Sequence, residues 1–266
     1  MTYCVALCLA KGMVFLSDTR TNAGVDSIGT FRKMVIFEKK KNRFFTLMSS
    51  GNLAITQSVK EILIKGKKYA GVNLWNAKSS YDAAVVVGEA IREVKARDEA
   101  ALNSSNIDFN CNLIFGGQIK GEKHRLFNIY SAGNFVEATP ETCYFQIGEA
   151  KYGKPILDRV VNYDTNLELA TKCVLISMDS TLKSNISVGL PLDLMVYEKD
   201  ALRTNLALSI DENNPYFSML RNLWGQKLTE IIMSVEDPEW NENKSNAKIT
   251  SHSNRLGPIP VIDGQP

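Results

Sequence analysis

Histidine is scarce in this chain of 266 residues, and cysteine is not arranged for metal binding. There are five cysteines without a CxxC pair and two histidines, of which His124 lies in a Gly/Lys-rich turn and His252 in the C-terminal tail. Both histidines are expected to be solvated. Zinc clusters need closely spaced Cys and His ligands, so we expect no metal and no cofactor. An odd cysteine count without paired spacing indicates a reducing compartment, so we expect a cytoplasmic protein.

The sequence also lacks an excess of either charge. Lys and Arg number 31, and Asp and Glu number 29, which gives a formal net charge of +2. Domains that bind nucleic acid or anionic membrane surfaces usually have a clear basic excess. The chain has no apolar run near the ~20 residues that span a bilayer. We therefore expect neither nucleic acid nor a membrane among its partners.

The composition that remains is that of a globular protein, with 44% hydrophobic and 23% charged residues. Apolar periodicity predicts two N-terminal hairpins, two helices, three strands, two helices, two strands and a last helix. Runs of each element type favour an α+β layered fold with antiparallel sheets. We predict one domain over residues 2–236. Residues 237–266 are rich in Asn, Ser and Pro, and we predict an extended or mobile tail there.

Two motifs resemble known sites and do not fit them. Residues 148–154 match most of a phosphate-binding P-loop, but Pro155 follows where a magnesium-binding hydroxyl is needed. A tight turn with Pro155 at the first helical position fits this segment better. The SxxK pattern occurs at residues 180–183 and again at 245–248, without the motifs that accompany it in penicillin-recognising enzymes. Neither motif therefore predicts a function.

The chemically suggestive residues begin at Thr2. A small side chain at this position is accepted by methionine aminopeptidase, so mature Thr2 is expected to have a free α-amino group. A threonine hydroxyl is a weak nucleophile and needs an adjacent base. An α-amine has a pKa of about 7.7–8.0, so a useful fraction is neutral at cellular pH. One residue can then supply both the nucleophile and the base.

Three later residues could support this chemistry. Asp18 ends the second predicted strand, and Lys33 opens the third, so the two could form an ion pair. A lysine cation close to the Thr2 hydroxyl would lower the cost of deprotonating it. Gly51 lies between a strand and a helix N-terminus, where a backbone N–H could stabilise an oxyanion. Each feature is weak when taken alone, and their combination gives the prediction its weight.

This combination resembles the proteasome β-type subunits of the N-terminal-nucleophile (Ntn) hydrolase superfamily. More narrowly, four strings are similar to the Anbu family of bacterial proteasome-related proteins. The strings are SDTRTNAG at residues 17–24, FRKM at 31–34, IGEAKYGKP at 147–155 and DSTLKSN at 179–185. The resemblance covers about residues 2 to 235.

The resemblance implies a fold and an assembly. The fold is a four-layer αββα sandwich, in which antiparallel sheets are flanked by helices. The assembly is a homo-oligomer of many copies, arranged as a ring or a ring-like spiral. The activity that the resemblance implies is a cytoplasmic threonine-type peptidase, acting on a peptide or protein substrate. The sequence allows no inference about a regulatory ATPase or about the preferred substrate residue.

The resemblance also implies roles for individual residues. Thr2 would be nucleophile and base, Asp18 and Lys33 the supporting pair, and Gly51 the oxyanion donor. The threonine that binds substrate backbone in the family falls on Asn22, with Thr21 beside it. By position, Ser49 and Leu53 would line the specificity pocket.

The residues expected around Thr2, Asp18 and Lys33 depart from the family pattern. The serine that the family places in a Gly-Ser-Gly-Ser turn falls within residues 148–151, which offer no hydroxyl. A later Asp-x-x-Ser-Gly turn has no clean counterpart. Asp179 is the candidate for its acid, whereas Asn185 and Ser187 fit better by spacing and less well by chemistry.

Three functional hypotheses follow. The leading hypothesis is a threonine peptidase assembled from many copies of the chain. The second is a structural ring subunit that has kept the fold and little catalysis. The third is a small-molecule amidohydrolase on the same fold, which would cleave a short acyl-amide and leave unfolded protein intact.

Overall fold

The computed structural model describes residues 2–23 and 27–237, without the side chains of residues 22, 23, 27 and 28. Met1 and residues 238–266 lie outside the described residues, so the predicted tail is described only at Asp237. The chain divides into two compact units, Met1–Arg221 and Asn222–Pro266. Among its described residues, the second unit contains the last part of one helix and the short segment after it. The one-domain boundary at residue 236 stays a prediction.

The described residues form twelve strands and five helices. The strands are β1 Tyr3–Leu9, β2 Gly12–Asp18, β3 Arg20–Ala23, β4 Ser27–Thr30, β5 Met34–Lys39, β6 Arg43–Gly51, β7 Cys111–Ile119, β8 Arg125–Ile129, β9 Phe135–Glu137, β10 Tyr144–Gly148, β11 Leu192–Glu198 and β12 Leu206–Ile210. The helices are α1 Leu53–Ile64, α2 Ser80–Ser104, α3 Lys154–Val160, α4 Leu167–Ser184 and α5 Pro215–Ser234.

Two five-stranded antiparallel sheets form the framework. One has the order β10-β1-β2-β11-β12, and the other has the order β5-β6-β7-β8-β9, while β3 and β4 form a separate hairpin. The predicted α+β class with antiparallel sheets is confirmed. Every residue of β1 and β2 is buried, which explains why these strands are apolar without alternation.

Among the described residues, three clusters of buried side chains make up the core. The first packs α1 and α2 on the sheet of β5–β9, with Val59, Val87 and Phe115 among its members. The second packs α3 and α4 on the sheet that contains β1. The third consists entirely of strand residues from both sheets, such as Phe15 and Phe44. Each sheet therefore buries apolar side chains on both faces, as a covered sheet must.

Helix α1 is shorter than its apolar periodicity predicts. The sequence predicts a helix to about Tyr69, but α1 ends at Ile64 and is followed by Gly66 at a φ of +68°. A residue in this left-handed region ends a helix, and glycine adopts the conformation with little strain. At the other end, the Asn52 side chain accepts hydrogen bonds from the backbone N–H groups of Ala54 and Ile55. This N-cap fixes where the helix begins.

The β3–β4 hairpin and β9 are absent from the sequence prediction. All three strands are only three or four residues long, and β3 and β4 contain few apolar residues. Short polar strands give no alternation that a sequence pattern could detect. The hairpin matters for the site because Thr21 lies on β3.

The prediction of a solvated His124 was wrong. Its side chain is buried, and its Nε2 lies 2.7 Å from the carbonyl oxygen of Leu9. That contact requires a proton on Nε2, while the buried Nδ1 has no partner among the described residues. His252 lies outside the described residues.

All five cysteines are buried and free of disulfides. Within residues 2–23 and 27–237, no helix is long and apolar enough to cross a membrane.

Candidate active site

The backbone of Thr2 is fixed by the end of strand β10. Thr2 is 7% exposed, and its carbonyl oxygen accepts a hydrogen bond of 2.7 Å from the Glu149 N–H. Gly148 pairs with Tyr3 and has a φ of +83°. A Cβ on Gly148 would lie 1.9 Å from the Thr2 carbonyl oxygen. Only glycine allows this approach, so the turn after β10 holds the start of β1 in place.

Asp18 lies directly behind this strand end. Its side chain is fully buried, and Oδ1 accepts hydrogen bonds from Lys33 Nζ at 2.6 Å and from the Tyr3 N–H at 3.0 Å. The other oxygen, Oδ2, accepts a longer hydrogen bond of 3.4 Å from the Gly189 N–H. One carboxylate therefore ties the lysine to the residue that follows Thr2.

Lys33 is held from two sides. Besides Asp18, its ammonium donates to the carbonyl oxygen of Arg20 at 2.6 Å. Its own carbonyl accepts hydrogen bonds from the Ser49 N–H at 3.1 Å and from the Ser49 hydroxyl at 3.3 Å. These contacts fix the backbone of Lys33 and the end of a side chain that would otherwise be flexible.

Burial dominates the electrostatics of this region. It raises the pKa of the Asp18 carboxyl, while the charge and hydrogen bond of Lys33 and the N–H groups of Tyr3 and Gly189 act in the opposite direction. Burial also strongly raises the pKa of the Cys4 thiol. The thiol, two residues beyond Thr2, therefore stays protonated and does not compete as a nucleophile.

Gly51 ends β6 where a side chain cannot fit. Its φ is +118°, and a Cβ would lie 2.4 Å from the carbonyl oxygen of Asn110. Along β6 the Ser49 N–H donates toward β5, and the Asn52 N–H donates to Asn110 on the other side. Strand N–H groups alternate in direction, so the Gly51 N–H is directed to the side of Ser49, beyond the start of β5.

Thr2, Lys33 and Gly51 line one open cleft of about 630 Å³, whereas the buried Asp18 does not line it. Six of the predicted site residues take part, namely Thr2, Thr21, Lys33, Ser49, Gly51 and Leu53. The Thr21 hydroxyl is buried and has no hydrogen-bond partner among the described residues. The side chain of Asn22 lies outside the described residues. The described part of the chain holds no group of three or more His, Cys, Asp or Glu residues suited to a metal.

Asp179 is not among the residues that line the cleft. It lies on α4 and forms an ion pair with Arg221 of α5. From the same helix, Ser177 instead forms a hydrogen bond of 2.6 Å with the hydroxyl of Tyr3. The loop that follows Asn185 reaches Asp18 through the Gly189 N–H.

Sequence reasoning missed several residues that shape the cleft. Gly148, Glu149 and Asn110 line it, and so does Lys60 of α1. Gly148 and Asn110 act through the backbone, which gives little sequence signal. Lys60 could have been found, because it follows Leu53 by seven residues and therefore shares its helix face.

Neither protein-family models nor curated proteins gave a match to this chain. Solved structures gave clear ones. The chain is 52% identical to Anbu (ancestral beta-subunit) from Yersinia bercovieri, with a TM-score of 0.85 over 90% of this chain and 100% of that one.

Two further solved structures agree. Anbu from Hyphomicrobium sp. strain MC1 is 46% identical over 88% of this chain and 98% of that one, with a TM-score of 0.81. The Anbu complex from Pseudomonas aeruginosa, described as a helical assembly, is 46% identical over 91% of this chain and 100% of that one, with a TM-score of 0.86. The chain therefore belongs to the Anbu family of proteasome-related, ancestral beta-subunit proteins.

Proposed function

We propose that this protein is a threonine-type amide hydrolase that cleaves peptide bonds through Thr2 after Met1 is removed. One observation supports this above all others. Thr2 shares a cleft with Lys33 and Gly51, and Lys33 is fixed by the buried Asp18 carboxylate, which also binds the N–H of the next residue, Tyr3. A nucleophile, a fixed cation and an oxyanion donor in one cleft are the parts that acyl transfer needs.

The chemistry follows from the residues in order. The neutral α-amine of mature Thr2 takes the proton of the Thr2 hydroxyl as Oγ attacks the amide carbonyl carbon. The carbonyl π electrons move onto oxygen, and the Gly51 N–H stabilises the oxyanion. The tetrahedral intermediate collapses, the C–N bond breaks, and the protonated α-amine passes its proton to the leaving amine. Water then attacks the resulting ester by the same route and releases the acid.

Lys33 supports this sequence electrostatically. Its ammonium lowers the cost of negative charge on the Thr2 oxygen, and Asp18 keeps the cation in place. Thr21 fits a role in binding substrate backbone, because it lines the cleft together with Thr2. Ser49 and Leu53 would line the specificity pocket. Asp179 would act only indirectly, since it is paired with Arg221 and does not line the cleft.

We also propose the four-layer αββα arrangement and self-assembly into a ring or ring-like spiral. Support for the layers comes from the three core clusters, two of which join helices to a sheet and one of which contains strands alone. Support for assembly comes from the relative whose structure is described as a helical assembly. The substrate is proposed to be a peptide or protein, in the cytoplasm.

The decisive test is the intact mass of natively purified protein, before and after treatment with a peptide epoxyketone. This reagent forms a cyclic adduct only with an amine and a hydroxyl on adjacent carbons, so it reports on mature Thr2. We expect loss of Met1 and one adduct per chain. The Thr2→Ser variant keeps both groups and should also react, whereas Thr2→Ala should not.

Other outcomes would contradict the proposal. Retained Met1 would leave no α-amine at Thr2 and would favour a structural subunit. An adduct that persists in Thr2→Ala would place the nucleophile elsewhere. Cleavage of short acyl-amides without cleavage of unfolded protein would point to the small-molecule amidohydrolase instead.

A further inference from the structure

One face of helix α1 contributes side chains to the cleft. Leu53, Thr56 and Lys60 follow one another at spacings of three and four residues, and all three line the cleft with Thr2. Residues at this spacing share a helix face. Because the Asn52 cap fixes the start of the helix, the position of Lys60 along the cleft wall is fixed as well.

Lys60 has no acidic partner in the described part of the chain. No carboxylate oxygen there lies within 4.0 Å of its ammonium, and the side chain's one hydrogen bond is to the carbonyl oxygen of Arg32 at 3.0 Å. An ammonium has three donors, so donor capacity remains. Arg32 directly precedes Lys33, and both lie just before the first residue of β5. This contact therefore brings the Lys60 charge close to the lysine that we propose supports catalysis.

The other charges that line the cleft are matched. Lys33 pairs with Asp18, Arg32 pairs with Asp193 at 3.1 Å, and Glu149 lies 4.0 Å from Lys151. Lys60 is therefore the unmatched charge among the described lining residues. Burial lowers the pKa of the Lys60 amine, while Cys4 and Glu61 act in the opposite direction.

We infer that Lys60 makes the cleft select substrates with a carboxylate side chain on the residue whose carbonyl is attacked, glutamate or aspartate. This inference rests on the proposed function of Thr2. A carboxylate would accept a charge-assisted hydrogen bond from a half-desolvated ammonium, which an amide of the same shape cannot match. A basic side chain would be repelled by the same charge.

The test uses four peptide epoxyketones that differ only at the residue bearing the ketone, which is Glu, Gln, Leu or Lys. The rate of adduct formation is followed by intact mass. We expect the Glu reagent to react about tenfold faster than the Gln reagent, the size of effect usual for a charged hydrogen bond. The Lys reagent should be the slowest.

Variants of Lys60 and of Lys65, the residue that follows α1, sharpen this test. Lys60→Met should reduce the Glu/Gln rate ratio to about one, Lys60→Arg should keep it above one, and Lys60→Glu should make the Lys reagent faster than the Glu reagent. Lys65→Met is the matched control, because Lys65 is highly exposed at the end of α1 and does not line the cleft. It should keep the wild-type ratio.

A binding measurement separates the two proposals. Acetylated tripeptides ending in Glu or Gln are titrated into the Thr2→Ala variant, which cannot react, and affinity is measured by calorimetry. Tighter binding of the Glu peptide that is lost with Lys60→Met supports the inference, even if no epoxyketone reacts. Equal affinities and equal adduct rates for Glu and Gln would overturn it while leaving Thr2 as the nucleophile.

Discussion

Two neighbouring basic residues form ion pairs in contrasting surroundings. Lys33 and Asp18 have side chains that are 6% and 0% exposed, whereas Arg32 and Asp193 are 72% and 7% exposed. The first pair is tied further to the Tyr3 N–H and the Arg20 carbonyl. The second has one contact of 3.1 Å, and Asp193 Oδ2 has no hydrogen-bond partner among the described residues.

The difference in exposure determines whether an ion pair can hold a side chain in one position. A buried pair with several added hydrogen bonds has one geometry and resists competition from water. An ion pair whose arginine is open to solvent is screened and contributes little to stability. Moving one residue along the chain thus changes a basic side chain from a positioning element into part of the cleft rim.

The largest expected effect is the difference in the free energy of unfolding between variants that lack Lys33 and variants that lack Arg32. Lys33→Met leaves a buried carboxylate without its cation, so we expect a loss of about 3–5 kcal/mol in the free energy of unfolding. Arg32→Met should cost less, about 1–2 kcal/mol, because water around the largely exposed guanidinium already weakens this pair, although the buried Asp193 loses its counter-charge. Both values come from urea denaturation, with circular dichroism as the readout.

A double variant tests whether the loss comes from the unpaired buried charge. Asp18→Asn with Lys33→Met removes both charges, and it should be more stable than Lys33→Met alone, because no buried charge is left unpaired. Equal losses for Lys33→Met and Arg32→Met would remove the distinction between the two pairs.

A substitution at Gly148 tests whether the position of Thr2 depends on backbone packing as well as on the Lys33–Asp18 ion pair. Gly148→Ala places a Cβ 1.9 Å from the Thr2 carbonyl oxygen at a φ of +83°, so we expect a loss of about 2–4 kcal/mol and slower adduct formation at Thr2. Gly121→Ala is the control, since it shares a positive φ of +87° and has nothing within 4 Å. It should cost about 1 kcal/mol, the strain term alone. A tolerated Gly148→Ala would mean that β10 does not hold Thr2 in place.

The smallest effect is expected at His124, which is buried and forms no ion pair among the described residues. Burial lowers its pKa, and the positive charges of Lys199 and Lys123 lower it further, although the Leu9 carbonyl and Asp200 oppose this. The folded-state pKa lies below the unfolded value of about 6.5, so the unfolded state binds protons first. The contribution of neutral His124 to the free energy of unfolding is fully present above about pH 6.5. It should be lost, by on the order of 1 kcal/mol, as the pH drops toward the folded-state pKa.

The measurement is the free energy of unfolding between pH 7.5 and pH 5.5, compared with His124→Gln. Glutamine can donate to the Leu9 carbonyl but cannot take up a proton, so the variant should show a flatter pH dependence. Identical slopes for both proteins would exclude His124 as the source.

The sequence was informative where a local pattern and burial agree. Strand β1 is apolar at all seven positions and β2 is apolar from Met13 to Leu16, as a covered sheet favours, and both strands were predicted. Asp18 and Lys33 were placed together because each lies at a strand end. Their contact then needed only that the two hairpins meet, which a layered fold brings about.

The remainder depends on contacts that no local pattern encodes. Gly189 reaches Asp18 across 171 positions, and Gly148 approaches Thr2 across 146, in both cases through backbone atoms. Asp179 looked suitable by chemistry alone, but the packing of α4 directs it to Arg221. Lys60 was within reach of helix periodicity, although its lack of an acidic partner could be seen only in the folded chain.

The burial of all five thiols has a practical consequence for measuring motion in this protein. Burial raises the pKa of each cysteine, so native protein should react very slowly with maleimides. A cysteine introduced at the exposed Lys65 would then be the one fast-reacting thiol of the described residues. A fluorophore or spin label could be attached there without first removing a native cysteine. Helix α1 could thus be followed directly as peptides enter the cleft.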